Sequence, residues 1–140
     1  MNEDFVIAFS TFPDAEIARK IAHELVENAI VACANIVPSV KSIYFWKEKV
    51  ETSAEVLTIF KMTAAGYSEF ESRLRKLHPY DVPEIVRLNI AGGNPDYLRW
   101  ISENINSRKR MTSGDACMRS PRPSTTTRRA LVRSIASRSS

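Results

Sequence analysis

Eight residues, Leu77-His-Pro-Tyr-Asp-Val-Pro-Glu84, place a histidine, a tyrosine, two carboxylates and two prolines at the close of a helical pattern. Proline fixes φ and disfavours the α region for the residue before it. The segment must therefore leave the helix and run extended, with its polar side chains in a fixed, non-repeating geometry. A plain connector requires none of this, which marks the run as a candidate site. His78, Asp81 and Glu84 are close enough in sequence to offer ligands to a divalent metal. Copper is the first-row divalent ion such groups hold most readily, in a shallow site completed by a neighbouring chain. The plainer alternative is that His78 hydrogen-bonds a nearby loop. The other histidine, His23, lies mid-helix beside Glu24 and reads as part of a solvated face.

Other chemistry is sparse. The chain has no Gly-rich phosphate loop, no H-E-x-x-H and no G-x-S-x-G, so no catalytic residue is assigned. Cys33 sits in the apolar run Val31-Ala-Cys-Ala34, where a thiol behaves as a small hydrophobe; metal ligation is its second reading. Cys117 lies far away in a polar context. The two do not look like a disulfide framework, which favours a reducing cytoplasm. An aromatic and charged set, Tyr44, Trp46, Lys61, Tyr80, Glu84, Tyr97 and Trp100, suits either an oligomer interface or a ligand cleft.

The formal charge of +4 averages two unlike segments. Residues 1–106 carry 11 Lys and Arg against 15 Asp and Glu, a net −4, whereas residues 107–140 carry 9 against 1, a net +8. A nucleic-acid role argued from overall charge would rest on the second segment alone; none is expected of the folded domain. Residues 107–140, rich in Ser, Thr and Arg, have too few apolar groups to offset chain entropy and read as a disordered basic tail. No apolar run approaches the ~20 residues of a membrane helix. The acidic start, Met1-Asn-Glu-Asp4, is unlike a secretory signal.

The elements that must position these residues follow from periodicity. Phe5–Phe9 reads as a strand covered on both faces. Thr11-Phe-Pro-Asp14 opens a helix capped by Thr11, with Ile17, Ala18, Ile21, Ala22 and Leu25 as its apolar stripe. Asn28 is placed as its left-handed stop. Residues 30–37 and 40–46 form one long strand interrupted at Pro38. Lys47-Glu-Lys49 turns, and Val50–Lys61 returns as a second long strand. This hairpin is too long for one small domain's helices to cover, which points to an oligomer. A helix over 64–77, a strand over 84–90 and a short final helix complete a βαβ–βαβ–α order. The fold class is α+β, a ferredoxin-like split βαβ sandwich over residues 1–106.

Ser10-Thr-x-Pro-Asp14, Ala32-Cys-Ala34, Ile43-Tyr-x-Trp46, His78-Pro-Tyr80, Pro83-Glu-Ile85 and Asp96-Tyr-Leu-x-Trp100, in this order, resemble the CutA divalent-cation tolerance family over residues 5–105. The resemblance implies a homotrimer, PII-like in architecture, with long hairpins pairing between subunits. It implies a non-enzymatic, cytoplasmic role in tolerance to divalent ions, with copper binding and no cofactor required for folding. Copper-binding bacterial members use a cysteine ending the first strand and two adjacent histidines before Pro-Tyr; those positions here are Ser10 and Leu77-His78. The metal candidates are thus His78, Glu84, Asp81 and Cys33. An inter-subunit cleft is implied at Trp46, Lys61, Tyr80, Glu84 and Trp100. Two other readings remain open: a PII-like signalling protein binding a small ligand in that cleft, and a structural trimerisation module.

Overall fold

The computed structural model describes residues 3–112 of the 140. Residues 113–140, where Cys117 and most of the expected basic tail fall, lie outside the described residues. The element order is β1 (Phe5–Phe12), α1 (Ala15–Glu27), β2 (Cys33–Trp46), β3 (Lys49–Thr63), a 3-10 turn (Ala64–Gly66), α2 (Tyr67–Leu77), β4 (Val86–Asn89) and α3 (Pro95–Thr112). The four strands form one sheet in the order β2-β3-β1-β4, and every neighbouring pair is antiparallel. This is the expected split βαβ arrangement. Among the described residues no helix is long and apolar enough to cross a membrane.

One face of the sheet makes the core. Val6, Ala8 and Phe12 of β1 and Val56, Phe60 and Met62 of β3 are buried with Leu25 of α1 and Phe70 and Leu74 of α2. Strand β1 is not covered on both faces, as its unbroken apolar run suggests. Alternate residues are buried, while Phe5, Ile7, Phe9 and Thr11 on the other face are only half-buried. Register places Ile7 and Phe9 beside Lys61 and Ile59 of β3 and Leu88 and Val86 of β4, so an apolar second face runs across the sheet.

Local rules explain the element ends. Strand β1 continues through Thr11 and Phe12 because these pair with Leu57 and Val56. The cap of α1 therefore moves from Thr11 to Asp14, whose carboxylate accepts from the Ile17 N–H at 2.8 Å. The left-handed residue after α1 is Ala29, with φ 57°, and not Asn28. Asn28 instead turns its side-chain amide back to the Glu24 carbonyl at 2.8 Å. Helix α2 ends where Pro79 demands it: His78 is already extended, with φ −71° and ψ 135°. Strand β4 is shorter than the 84–90 expected, since β1 offers it partners only from Val6 to Phe9.

Helix α3 is longer than expected and runs to Thr112, beyond the 106 boundary. Its buried Ile101 and Ile105 join the core. Arg108 donates to the carbonyls of Val26 in the last turn of α1 and of Val31 in the loop before β2, and Ser102 bonds Glu3. The first turn of the expected tail is thus part of the domain.

The hairpin carries the shape that matters for function. Strand β1 ends opposite Val56, so from Glu55 outward β3 has only β2 beside it. Lys49–Glu55 and Val40–Trp46 form a two-stranded arm reaching roughly 20 Å beyond the end of β1, at ~3.3 Å per residue. It closes through Lys47 and Glu48, with φ 48° and 65°, the positive-φ pair of a tight hairpin turn whose twist suits antiparallel strands. The interruption near Pro38 is a register shift between Val37 and Val40. The shift exchanges the faces, placing Tyr44 beside Glu51 and Trp46 beside Lys49, with Ile43, Phe45 and Val50 on the opposite side.

Candidate functional site

The proline-bounded run does build a fixed polar structure. His78 is 7% exposed, its ring stacked on Phe12 with centroids 4.7 Å apart. Its Nδ1 accepts the Tyr80 backbone N–H at 3.1 Å, and its Nε2 lies 2.9 Å from the Thr11 carbonyl oxygen. A carbonyl can only accept, so Nε2 carries the proton and the ring is the neutral tautomer. The hydroxyl of Tyr80 donates to Glu55 Oε1 at 3.3 Å, and Ser42 Oγ donates to Glu55 Oε2 at 2.9 Å. The loop, the end of β1 and the root of the arm are therefore tied together. Glu55 and Ser42 were not singled out by the sequence; one carboxylate in an alternating strand looks like ordinary solvated surface until the bulge at Pro38 sets Ser42 near it.

A second cluster lies at the base of the hairpin. Cys33 and Lys61 are directly paired across β2 and β3. Lys61 Nζ donates to Asn35 Oδ1 at 3.1 Å and stands 5.5 Å from the centre of the Tyr97 ring. The Tyr97 hydroxyl lies 3.6 Å from Cys33 Sγ, and its ring stacks on Trp100 at 5.7 Å. Burial, with Cys33 beside it, raises the Tyr97 pKa above its ordinary 10.0, so the phenol stays neutral.

These clusters split both candidate sets. Of the metal candidates, His78 has both ring nitrogens engaged and would have to surrender a backbone bond to ligate. Asp81 lines a shallow groove against α2 with Glu71, Arg75 and Lys76. Glu84 is exposed, and Cys33 is in the other cluster. Among the described residues no group of three or more His, Cys, Asp or Glu is placed to hold a metal ion, so the described residues of one chain do not by themselves fit a metal centre. Of the cleft candidates, Lys61 and Trp100 share the base, Tyr80 sits at the root of the arm and Trp46 near its tip. Twelve β positions, roughly 40 Å at the strand rise, separate Lys61 from Lys49, the partner of Trp46. One chain does not bring them together.

Residues 6–104 match the family model for the CutA1 divalent ion tolerance protein. The chain belongs to the CutA family. Among curated relatives, it is 46% identical over 98 residues to the divalent-cation tolerance protein CutA of Thermus thermophilus, covering 70% of this chain and 95% of that one. It is 41% identical over 98 residues to a CutA homolog of Xenopus laevis, covering 70% of this chain and 65% of that longer one. The crystal structure of the divalent ion tolerance protein CutA1 from Ehrlichia chaffeensis superposes with a TM-score of 0.72 at 27% identity, over 75% of this chain and 98% of that one. The fold is the ferredoxin-like, PII-like fold of CutA1 structures.

In this CutA chain His78 also sets a pH dependence. Desolvation lowers its pKa below the ordinary 6.5, against smaller opposing effects of the Thr11 bond and the Glu55 charge. The unfolded chain then takes up the proton first as pH falls. Stability contributed by neutral His78 is fully present above about pH 6.5 and is lost as pH falls from there toward the folded pKa. Denaturant midpoints between pH 7.5 and 5 should decline in the native chain, and the decline should flatten in His78→Gln.

Proposed function

We propose that the chain is a non-enzymatic divalent-ion tolerance protein of the cytoplasm that works as a homotrimer. The observation that carries this reading is the arm. Ile43, Phe45, Trp46 and Val50 are 68%, 71%, 60% and 71% exposed, an apolar surface on both faces of a two-stranded ribbon. An isolated two-stranded ribbon is marginal in water, and apolar groups clustered in this way mark an interface. Packing arms of neighbouring copies against each other's second sheet face would cover both. It would also bring Trp46 and Tyr80 toward Lys61, Glu84 and Trp100, which a single chain holds apart.

Copper, the ion such donors favour, is proposed to bind weakly and at subunit contacts. The exposed carboxylates Asp81 and Glu84 are the contributors, with His78 and Cys33 held in structural roles. Calorimetric titration with Cu(II) tests this on the whole protein. Weak binding lost in the Asp81→Asn, Glu84→Gln double variant, and kept in His78→Ala, is expected. Binding that vanishes in His78→Ala and survives in the double variant would contradict it. The second reading, a PII-like sensor of a small ligand, is favoured by Lys61, an ammonium held in place in the cleft set without an ion pair among the described residues.

A further inference from the structure

Residues 78–85 cross from α2 to β4 without helix or strand. Among the described residues, Pro79–Glu84 make no backbone–backbone hydrogen bond, and Val82 in the middle is exposed. The hydrogen bonds that dock this loop converge on Tyr80. Its N–H donates to His78 Nδ1 at 3.1 Å and its hydroxyl donates to Glu55 Oε1 at 3.3 Å. Its ring lies 4.9 Å from the imidazole, tilted by 47°. His78 is anchored from the other side, with Nε2 donating to the Thr11 carbonyl and the ring stacked on Phe12. A line of contacts therefore runs from the end of β1 through His78 and Tyr80 to Glu55 at the root of the arm.

One link in that line depends on a proton. Neutral His78 spends its single N–H on Thr11 and offers the lone pair of Nδ1 to Tyr80. An imidazolium carries N–H on both nitrogens, so a protonated Nδ1 would meet the Tyr80 N–H donor to donor. The Thr11 bond is unaffected, because Nε2 keeps its proton in both forms. Proton uptake thus leaves the ring tied to β1 and acts on its hold over Tyr80. Burial disfavours the proton most, while the Thr11 bond and the Glu55 carboxylate of β3 oppose it less, so the link is made at neutral pH. The other titratable groups that face Tyr80 are Tyr44 of β2 and Asp14 at the start of α1. Neither supplies the loop with a second hydrogen bond among the described residues.

We propose that His78 is a proton-operated latch: protonation of Nδ1 releases Tyr80, and with it the loop 79–84, from the root of the arm while the rest of the domain stays folded. The latch needs neither a metal nor a partner chain, and it locates where the fold yields first under acid.

Amide hydrogen exchange on the full chain tests this, from about pH 7.5 down to the pH at which the ring is protonated, corrected for the intrinsic pH dependence of exchange. Ring protonation is followed in the same samples by the nitrogen chemical shifts of His78. Protection of the Tyr80 amide is expected to fall about tenfold or more in step with that titration, while amides of Phe70–Leu74 in α2 and Ile21–Leu25 in α1 hold theirs. His78→Gln offers one acceptor and one donor and does not titrate, so its Tyr80 protection should be constant over the same range. A Tyr80 amide that stays protected after the wild-type ring is protonated would overturn the proposal. So would Tyr80 and α2 amides that lose protection together, since acid would then unfold the domain as a whole and open no separate loop. Both of these outcomes are read in the wild-type chain and do not depend on the variant's folding.

Discussion

Replacing Phe45 and Val50 together by aspartate is expected to reduce the particle from three chains to one while leaving the secondary structure of the chain intact. Both side chains are 71% exposed in the single chain, so their loss removes almost nothing from its own core. In the assembly proposed, each is buried. Burying a Phe or Val side chain is worth about 1.5–3 kcal/mol, and an unpaired carboxylate at such a site adds its own desolvation cost. The pair should therefore weaken each subunit contact by about 5 kcal/mol or more, several thousandfold or more in association. Light scattering reads the mass and far-ultraviolet circular dichroism reads the fold. A double variant that remains three chains would place the contact elsewhere than on the arm.

The second large effect is expected at His78, and it is structural. His78→Ala removes a buried ring stacked on Phe12 and leaves two backbone groups without their partner, the Thr11 carbonyl and the Tyr80 N–H. The cavity and the lost hydrogen bonds together should cost about 2–4 kcal/mol. The same change frees the loop that holds Tyr80 on Glu55, so the root of the arm should loosen with it. Denaturant unfolding at pH 7.5 measures the cost. A loss below about 0.5 kcal/mol would show that the ring is not the anchor its two hydrogen bonds suggest.

Local signals in the chain predicted most of the architecture, and the exceptions have physical causes. The stripe from Ile17 to Leu25, the extended residue before Pro79 and the overlong hairpin each follow from a rule that acts within a few residues. Thr11 failed as a cap because a partner strand far away in sequence claimed it for the sheet. Ala29, and not Asn28, took the left-handed position at a cost of roughly 1–2 kcal/mol, which the tight packing around it offsets; no local propensity announces such a choice. Helix α3 outran its expected end because Arg108 reaches carbonyls some 80 residues earlier in the chain, a contact no local pattern encodes.

The candidate site was legible as a set of residue types and much less as a geometry. Pro79 fixes the extended backbone of His78, yet no local rule says that both ring nitrogens are engaged. The cleft residues were readable only as a group, since Trp46 and Lys61 stand at opposite ends of the hairpin. Asn35 and Glu55 escaped notice because their importance comes from cross-strand neighbours set by register. The same holds for metal: four plausible ligands lie in the chain, and among the described residues no three of them converge.

The claim on which the rest depends is that chains complete one another. Multi-angle light scattering of the wild-type protein at micromolar concentration tests it most directly. The account predicts a particle of three times the chain's 15.8 kDa, unchanged on dilution across that range. A particle of one chain's mass would contradict it.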